Sequence, residues 1–123
     1  DAVRQAIENA KAALKPGVEC WTVDAAARQT VVDAGYEEFD HATGHHVGRS
    51  AHDGGGVLGP KWERYGRTPM AVVEPGHVYT LELGINLPNR GYLGLEEMVV
   101  VTKDGCEYLS NPQRELWMLG ATS

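Results

Sequence analysis

The chain has 123 residues, with 17 acidic and 11 basic side chains and a formal net charge of −6. That length corresponds to one domain at most, and the acidic balance argues against a nucleic-acid partner, which requires a basic face. No apolar run approaches the length of a membrane span, and the polar opening does not resemble a signal peptide. Cys20 and Cys106 lack metal-site or CxxC spacing, so we expect unpaired thiols in a cytoplasmic protein.

Two helices are predicted at the start of the chain. Apolar residues recur at helical spacing over residues 2–14, and Pro16-Gly17 ends that helix. Thr22 is predicted as the N-cap of a second helix over residues 23–34, with Gly35 directly after its end. The short connection between them predicts a helical hairpin.

The remainder of the chain predicts β structure. A weak strand is expected near residues 38–43, and alternating polar and apolar residues predict longer strands over 77–85 and 92–102. A turn around 89–91 joins the longer strands, and a tight turn leads into a last strand over 106–109. Helices followed by antiparallel strands define the α+β class.

Four of the five histidines lie in the twelve-residue segment HATGHHVGRSAH, from His41 to His52. Imidazole is the commonest metal ligand of proteins and a frequent general acid or base near neutral pH. Adjacent residues of an extended chain point to opposite faces, so only one of His45 and His46 can enter a given site, and we expect His46 to point away. A glycine-rich surface loop with scattered histidines is the alternative interpretation.

Two glutamates lie inside predicted strands. Glu82 is on the strand face that carries Val78 and Thr80, and Glu96 lies within the apolar segment YLGLEEMVVV. A charged side chain in mid-strand is rarely buried unless it is paired or bound to a cation. A solvent-facing strand or an edge strand would also accommodate each carboxylate. With the histidine segment, the two glutamates form a one-histidine, two-glutamate constellation on neighbouring strands.

Three motifs occur in order along the chain: HATGHHVG followed by AHDGG, then VEPGHVYTLELGI, then YLGLEEMVVVTKDGCEYLS. Together they resemble the pita-bread metallopeptidases, a family that includes methionine aminopeptidase, aminopeptidase P and prolidase. The helical segments LKPG and VDAAARQTVVDAGY fit the same pattern, so the resemblance covers residues 2 to 110. It implies part of a pita-bread fold, with two outer helices packed on a curved antiparallel sheet.

Site residues follow from the resemblance position by position. His45, Glu82 and Glu96 match metal ligands, with Glu96 bridging two ions and Glu82 also serving as the base that accepts a proton from water. His52 matches the histidine that stabilises the developing tetrahedral charge, and His41 matches one that lines the substrate pocket. His45, Glu82 and Glu96 are thus expected to bind metal, whereas His52, Glu82 and His41 are expected to act in catalysis.

The resemblance also implies cofactors and an activity. Two divalent ions (Mn, Co, Zn or Fe, with Mn favoured) and a bridging hydroxide would hydrolyse the N-terminal peptide bond of a peptide substrate, as in Xaa-Pro aminopeptidases and dipeptidases. Two aspartate ligands of the family have no counterpart here. Residues 1–123 are therefore expected to be the C-terminal part of a single catalytic domain, inactive alone. The sheet edge left open by that cut predicts a homo-oligomer.

Two residues depart from the family pattern at positions that bear on substrate specificity. Gly94 stands where prolidase-like members often have an arginine that binds the substrate carboxylate, and Leu83 replaces the proline that usually follows the Glu82 position.

Two rival functions remain open. One is a metal-free hydrolase of the creatinase-like branch, which uses histidine and glutamate as acid and base. The other is a non-catalytic module that binds peptide or protein on the same fold. Retention of three ligand positions favours metal-dependent catalysis.

Overall fold

Two helices, α1 (Ala2–Ala13) and α2 (Cys20–Asp33), begin the chain in a computed structural model that describes residues 1–120. They pack on each other as the predicted hairpin, and Gly35 takes the left-handed conformation, with φ +91°, that favours glycine after a helix. The prediction of Thr22 as N-cap is wrong, because α2 begins two residues earlier. The Thr22 hydroxyl donates to the Glu19 carbonyl at 2.7 Å, so Thr22 lies inside the first turn.

Within residues 1–120, five strands follow the helices in two antiparallel sheets. The short strands β1 (Gly44–His45) and β2 (Val57–Leu58) pair with each other. The longer strands β3 (Val78–Leu87), β4 (Gly91–Val101) and β5 (Cys106–Tyr108) form a sheet in the order β3-β4-β5. These bounds agree closely with the predicted long strands, and the class is α+β as predicted.

The strand predicted near residues 38–43 is wrong, because the first strand begins only at Gly44. The backbone carbonyls of Phe39 and His41 are bound by the Arg28 side chain of α2 instead of a neighbouring strand. A side-chain partner therefore takes the place of a β ladder in this segment.

The core lies between the helices and one face of β3. The alternate residues of β3 on this face are buried, and they pack with the apolar faces of both helices and with β4: Tyr79, Leu81, Leu83 and Ile85. Cys20 and Cys106 are free thiols and both are buried, as expected for unpaired cysteines. Within residues 1–120 no helix has the length and apolarity needed to cross a bilayer.

The histidine segment lies along the edge of β3 that β4 does not cover. The Glu82 amide donates to the Thr43 carbonyl at 2.6 Å, and the Val47 amide donates to the Val78 carbonyl at 2.9 Å. The residues around β1 therefore follow the free edge of β3. This pairing places His45 beside the middle of β3.

Candidate active site

His45 and Glu82 lie side by side at the centre of the candidate site. His45 Nε2 lies 3.5 Å from Glu82 Oε2, and His45 Nδ1 lies 2.9 Å from the His46 carbonyl oxygen. Because a carbonyl can only accept, Nδ1 is the donor in this contact, and Nε2 is the ring nitrogen that faces Glu82. Histidine ligands of metals are commonly held in this way, by a hydrogen bond from the other ring nitrogen.

Glu96 completes the acidic side of the site. It is the direct cross-strand partner of Glu82 in the β3–β4 ladder, a position where like charges repel. Burial, the charge of Glu82 and a hydrogen bond with Glu82 raise the pKa of Glu96, and the nearby His45 lowers it. Two opposed carboxylates beside an imidazole nitrogen form a donor set that suits a divalent transition metal.

The three predicted ligands do not by themselves enclose an ion. Among residues 1–120, no group of three histidine, cysteine, aspartate or glutamate side chains converges as a metal site would require. The structure brings His45, Glu82 and Glu96 to one face of the sheet and leaves that face open.

His52 and His41 are the other two histidines that were predicted for the site. The His52 ring is 4.2 Å from the His45 ring, centroid to centroid, on an exposed loop. His41 donates from Nδ1 to the Ala42 carbonyl at 2.7 Å, and its Nε2 is within hydrogen-bond distance of the Tyr92 hydroxyl, at 3.3 Å. His52 thus stands next to the candidate ligands, whereas His41 is held beside Tyr92.

His46 faces away from this site, as expected from strand alternation. Its ring packs 4.4 Å from Tyr79 and 4.5 Å from His77, and its Nε2 is buried without a hydrogen-bond partner in the described part of the chain. Burial and the neighbouring His77 lower the pKa of His46, which favours the neutral imidazole. His46 therefore belongs to the packing behind β1.

Tyr92 is a site residue that the sequence analysis missed. Its ring lies over Gly84 and Gly94, since a Cβ atom added to Gly84 would be 2.4 Å from Tyr92 Cζ and one added to Gly94 would be 2.8 Å from Tyr92 Cε1. Gly84 and Gly94 are cross-strand partners, two pairs along the ladder from the pair formed by Asn86 and Tyr92. Two glycines at same-face positions of adjacent strands are the sequence signal that could have indicated a covering aromatic ring.

Glu97, the second member of the acidic pair, has a different environment from Glu96. It lies on the core face of β4, where its side chain is buried and accepts from the Gln113 amide at 2.8 Å. The acidic pair therefore divides between the candidate site and an attachment point for the C-terminal segment.

Solved structures define the class of fold. The chain superposes on a crystal structure of dipeptidase PepE from Mycobacterium ulcerans with a TM-score of 0.81 and 34% identity, over 94% of this chain and 29% of that one. It superposes on the prolidase from Pyrococcus horikoshii with a TM-score of 0.81 and 31% identity, over 94% of this chain and 31% of that one. The fold is thus part of a pita-bread domain, as the three motifs implied.

Sequence comparison defines the family. Residues 1–103 match metallopeptidase family M24, and the chain belongs to that family. It is 33% identical over 117 residues to a Xaa-Pro dipeptidase from Pyrococcus horikoshii, which covers 94% of this chain and 30% of the relative. It is 35% identical over 105 residues to a probable dipeptidase PepE from Mycobacterium tuberculosis, over 85% of this chain and 26% of the relative. The chain thus spans about a third or less of each relative.

Proposed function

We propose that this chain is the C-terminal part of the catalytic domain of a metal-dependent aminopeptidase or dipeptidase. The observation that carries the proposal is the trio formed by His45, Glu82 and Glu96. A histidine whose ring is oriented by a backbone carbonyl stands 3.5 Å from one carboxylate, and that carboxylate is directly opposed to the other. This arrangement holds excess negative charge that a cation would neutralise.

In this proposal His45, Glu82 and Glu96 would hold metal in a site for two divalent ions, with Mn favoured. Two further carboxylate ligands would come from residues outside these 123, in keeping with the open face of the site. The bound ions would polarise the scissile carbonyl and lower the pKa of a water molecule. Glu82 would accept a proton from water on a carboxylate oxygen, a role that its mid-strand position supports by limiting the movement of the side chain.

His52 and His41 act on the peptide in this proposal. His52 is exposed beside His45, and it donates a hydrogen bond to the scissile carbonyl oxygen as negative charge develops there, a form of stabilisation that often dominates acyl-transfer catalysis. His41 and its partner Tyr92 line the same face and contact the peptide beyond the scissile bond.

The proposed substrates are peptides cleaved after the N-terminal residue, with Xaa-Pro bonds as the first class to test. Support comes from relatives and structural neighbours that are named Xaa-Pro dipeptidase, prolidase and X-Pro aminopeptidase. At the position where prolidase-like members often have an arginine, this chain has Gly94 and therefore no cationic side chain. The substrates tested should include peptides with and without a free carboxylate at the second residue.

The test uses a polypeptide that joins these 123 residues to the segment preceding them in the complete protein. We expect hydrolysis of Xaa-Pro or Met-Xaa peptides with added Mn²⁺, loss of hydrolysis in strong chelator, and loss in Glu82→Gln. Glu107→Gln, on the exposed side of β5, is the matched control and should leave the rate unchanged.

Three outcomes would contradict the proposal. Full activity in chelator would favour the metal-free, creatinase-like hydrolase. Peptide binding without turnover at saturating Mn²⁺ would favour a binding module on the same fold. Metal-dependent turnover by the 123 residues alone would refute the expectation that two ligands are supplied from elsewhere.

A further inference from the structure

Asp24 and Arg28 form an ion pair on α2 in which both side chains are almost fully buried, with 2% and 7% of their surface exposed. Arg28 donates from Nε to Asp24 Oδ2 at 2.9 Å and from Nη2 to Asp24 Oδ1 at 3.0 Å. This is the two-point geometry in which a guanidinium binds a carboxylate. Buried ion pairs of this kind add little net stability relative to well-packed apolar residues, so their stabilising effect alone does not account for the pair.

The pair also binds the backbone of the segment that precedes β1. Arg28 donates from Nη1 to the Phe39 carbonyl and from Nη2 to the His41 carbonyl, the latter at 2.7 Å. Asp24 Oδ1 accepts from the Thr43 amide at 3.2 Å and from the Thr43 hydroxyl at 2.8 Å. One turn of helix therefore satisfies the backbone groups of a segment that has no β ladder.

Thr43 extends this attachment to β3. Thr43 is fully buried, and its carbonyl accepts from the Glu82 amide at 2.6 Å. Two residues later, the His45 amide donates to the Thr80 hydroxyl at 3.1 Å. Asp24 is thereby connected to Glu82 through a single residue.

We infer that the Asp24–Arg28 pair positions His41 and Glu82 relative to each other for the reaction proposed above. Burial keeps both side chains from contact with a peptide, so they are positioning residues and act through the backbone of the segment before β1. The catalytic meaning of this inference rests on the proposed function. The connection from α2 to the Glu82 amide is measurable whether or not the protein is an enzyme.

Two substitutions test the hydrogen bonds between the ion pair and the backbone without removing the positive charge beside Asp24. Arg28→Lys keeps a cation beside Asp24 but lacks the planar fork, so the Phe39 and His41 carbonyls lose their donors. Thr43→Val keeps the side-chain shape and removes only the hydroxyl that binds Asp24. Asp33→Asn, at the exposed end of the same helix, is the matched control.

The first measurement is hydrogen exchange and chemical shift of the Glu82 amide by NMR on the full 123-residue chain. In Arg28→Lys we expect faster exchange and a shifted Glu82 resonance, while far-UV circular dichroism keeps its helical signal. Thr43→Val should change the same amide in the same direction by a smaller amount, and Asp33→Asn should not change it. An unchanged Glu82 amide in folded Arg28→Lys would overturn the inference. If Arg28→Lys does not fold, an unchanged amide in Thr43→Val overturns it.

The second measurement is kinetic and uses the longer polypeptide described above. Arg28→Lys should lower kcat by about 10–100-fold, the range seen when a residue that orients a metal ligand is lost, with little change in KM. A purely structural role would lower the amount of active protein and leave kcat per folded molecule unchanged, which would overturn the inference. If the wild type shows no metal-dependent turnover, the proposed function fails, and the Glu82 amide still decides whether the connection exists.

Discussion

Glu82 of β3 and Glu96 of β4 are direct cross-strand partners, so two carboxylates share one face of an antiparallel ladder beside His45. In the metal-free chain this pairing carries a cost, because like charges at opposed positions repel. The pKa of Glu96 is raised mainly by its partial burial and then by Glu82. The pair therefore makes the stability of the chain sensitive to both pH and metal.

The first prediction concerns that sensitivity. A raised pKa means that the folded chain binds more protons at Glu96 than the unfolded chain, so the contribution of Glu96 to the metal-free free energy of unfolding falls as pH rises above about 4.3, the ordinary value for glutamate. Glu96→Gln should remove most of this fall, and added Mn²⁺ should oppose it. Thermal unfolding across the acidic to neutral range measures the effect. Equal slopes for the wild type and Glu96→Gln would contradict the prediction.

The second prediction concerns His45 as a ligand. Loss of a residue that only orients a metal ligand weakens metal binding by roughly 10–100-fold. Because His45 is proposed as a ligand itself, His45→Ala should weaken Mn²⁺ binding by more than that. Isothermal titration calorimetry, or broadening of NMR signals near Glu82 by Mn²⁺, measures the loss. His77→Ala serves as the control because its ring lies behind β1 with His46. Equal effects of the two substitutions would argue against His45 as a ligand.

The third prediction concerns Tyr92 and the glycine beneath its ring. In Gly94→Ala the new methyl group would meet Tyr92 Cε1 at 2.8 Å, and forced overpacking costs about 1–3 kcal/mol in the free energy of unfolding. Tyr92→Ala in the same chain should recover much of that loss, since the ring is the main obstacle. Urea unfolding of the two single variants and the double variant gives the coupling. Strict additivity would show that the ring does not lie over Gly94 in solution.

The fourth prediction concerns self-association. A run of large apolar side chains is exposed near the end of the described chain, including Trp117 at 82% and Leu119 at 92% exposure. Adjacent exposed apolar residues commonly mark an interaction surface, so the elution volume of the chain should decrease as concentration rises. A double Trp117→Ser, Leu119→Ser variant should elute later, whereas Leu109→Ser, which removes one exposed leucine outside this run, should not. A concentration-independent monomer would refute the expected homo-oligomer.

The long strands and both helices could be predicted from sequence because their periodicities are local. The alternation around Glu82 reports directly which side chains face the core, and β3 buries the predicted set with Tyr79 and Leu81 among it. The N-terminus of α2 could not be placed as well. Thr22 has the side chain of an N-cap, but its hydroxyl instead binds the Glu19 carbonyl within the first turn.

The sequence by itself determined the family, the fold class and which residues are candidates for the site, because each depends on residue types at set spacings. Only the tertiary structure decided which of these candidate side chains lie close together. His45 and Glu82 are 37 positions apart in sequence, and only pairing of the β1 segment with β3 brings them within 3.5 Å. The role of Asp24 and Arg28 could not be predicted from the sequence around them. Their partners include backbone groups of the segment before β1, and these hydrogen bonds form only when the chain folds.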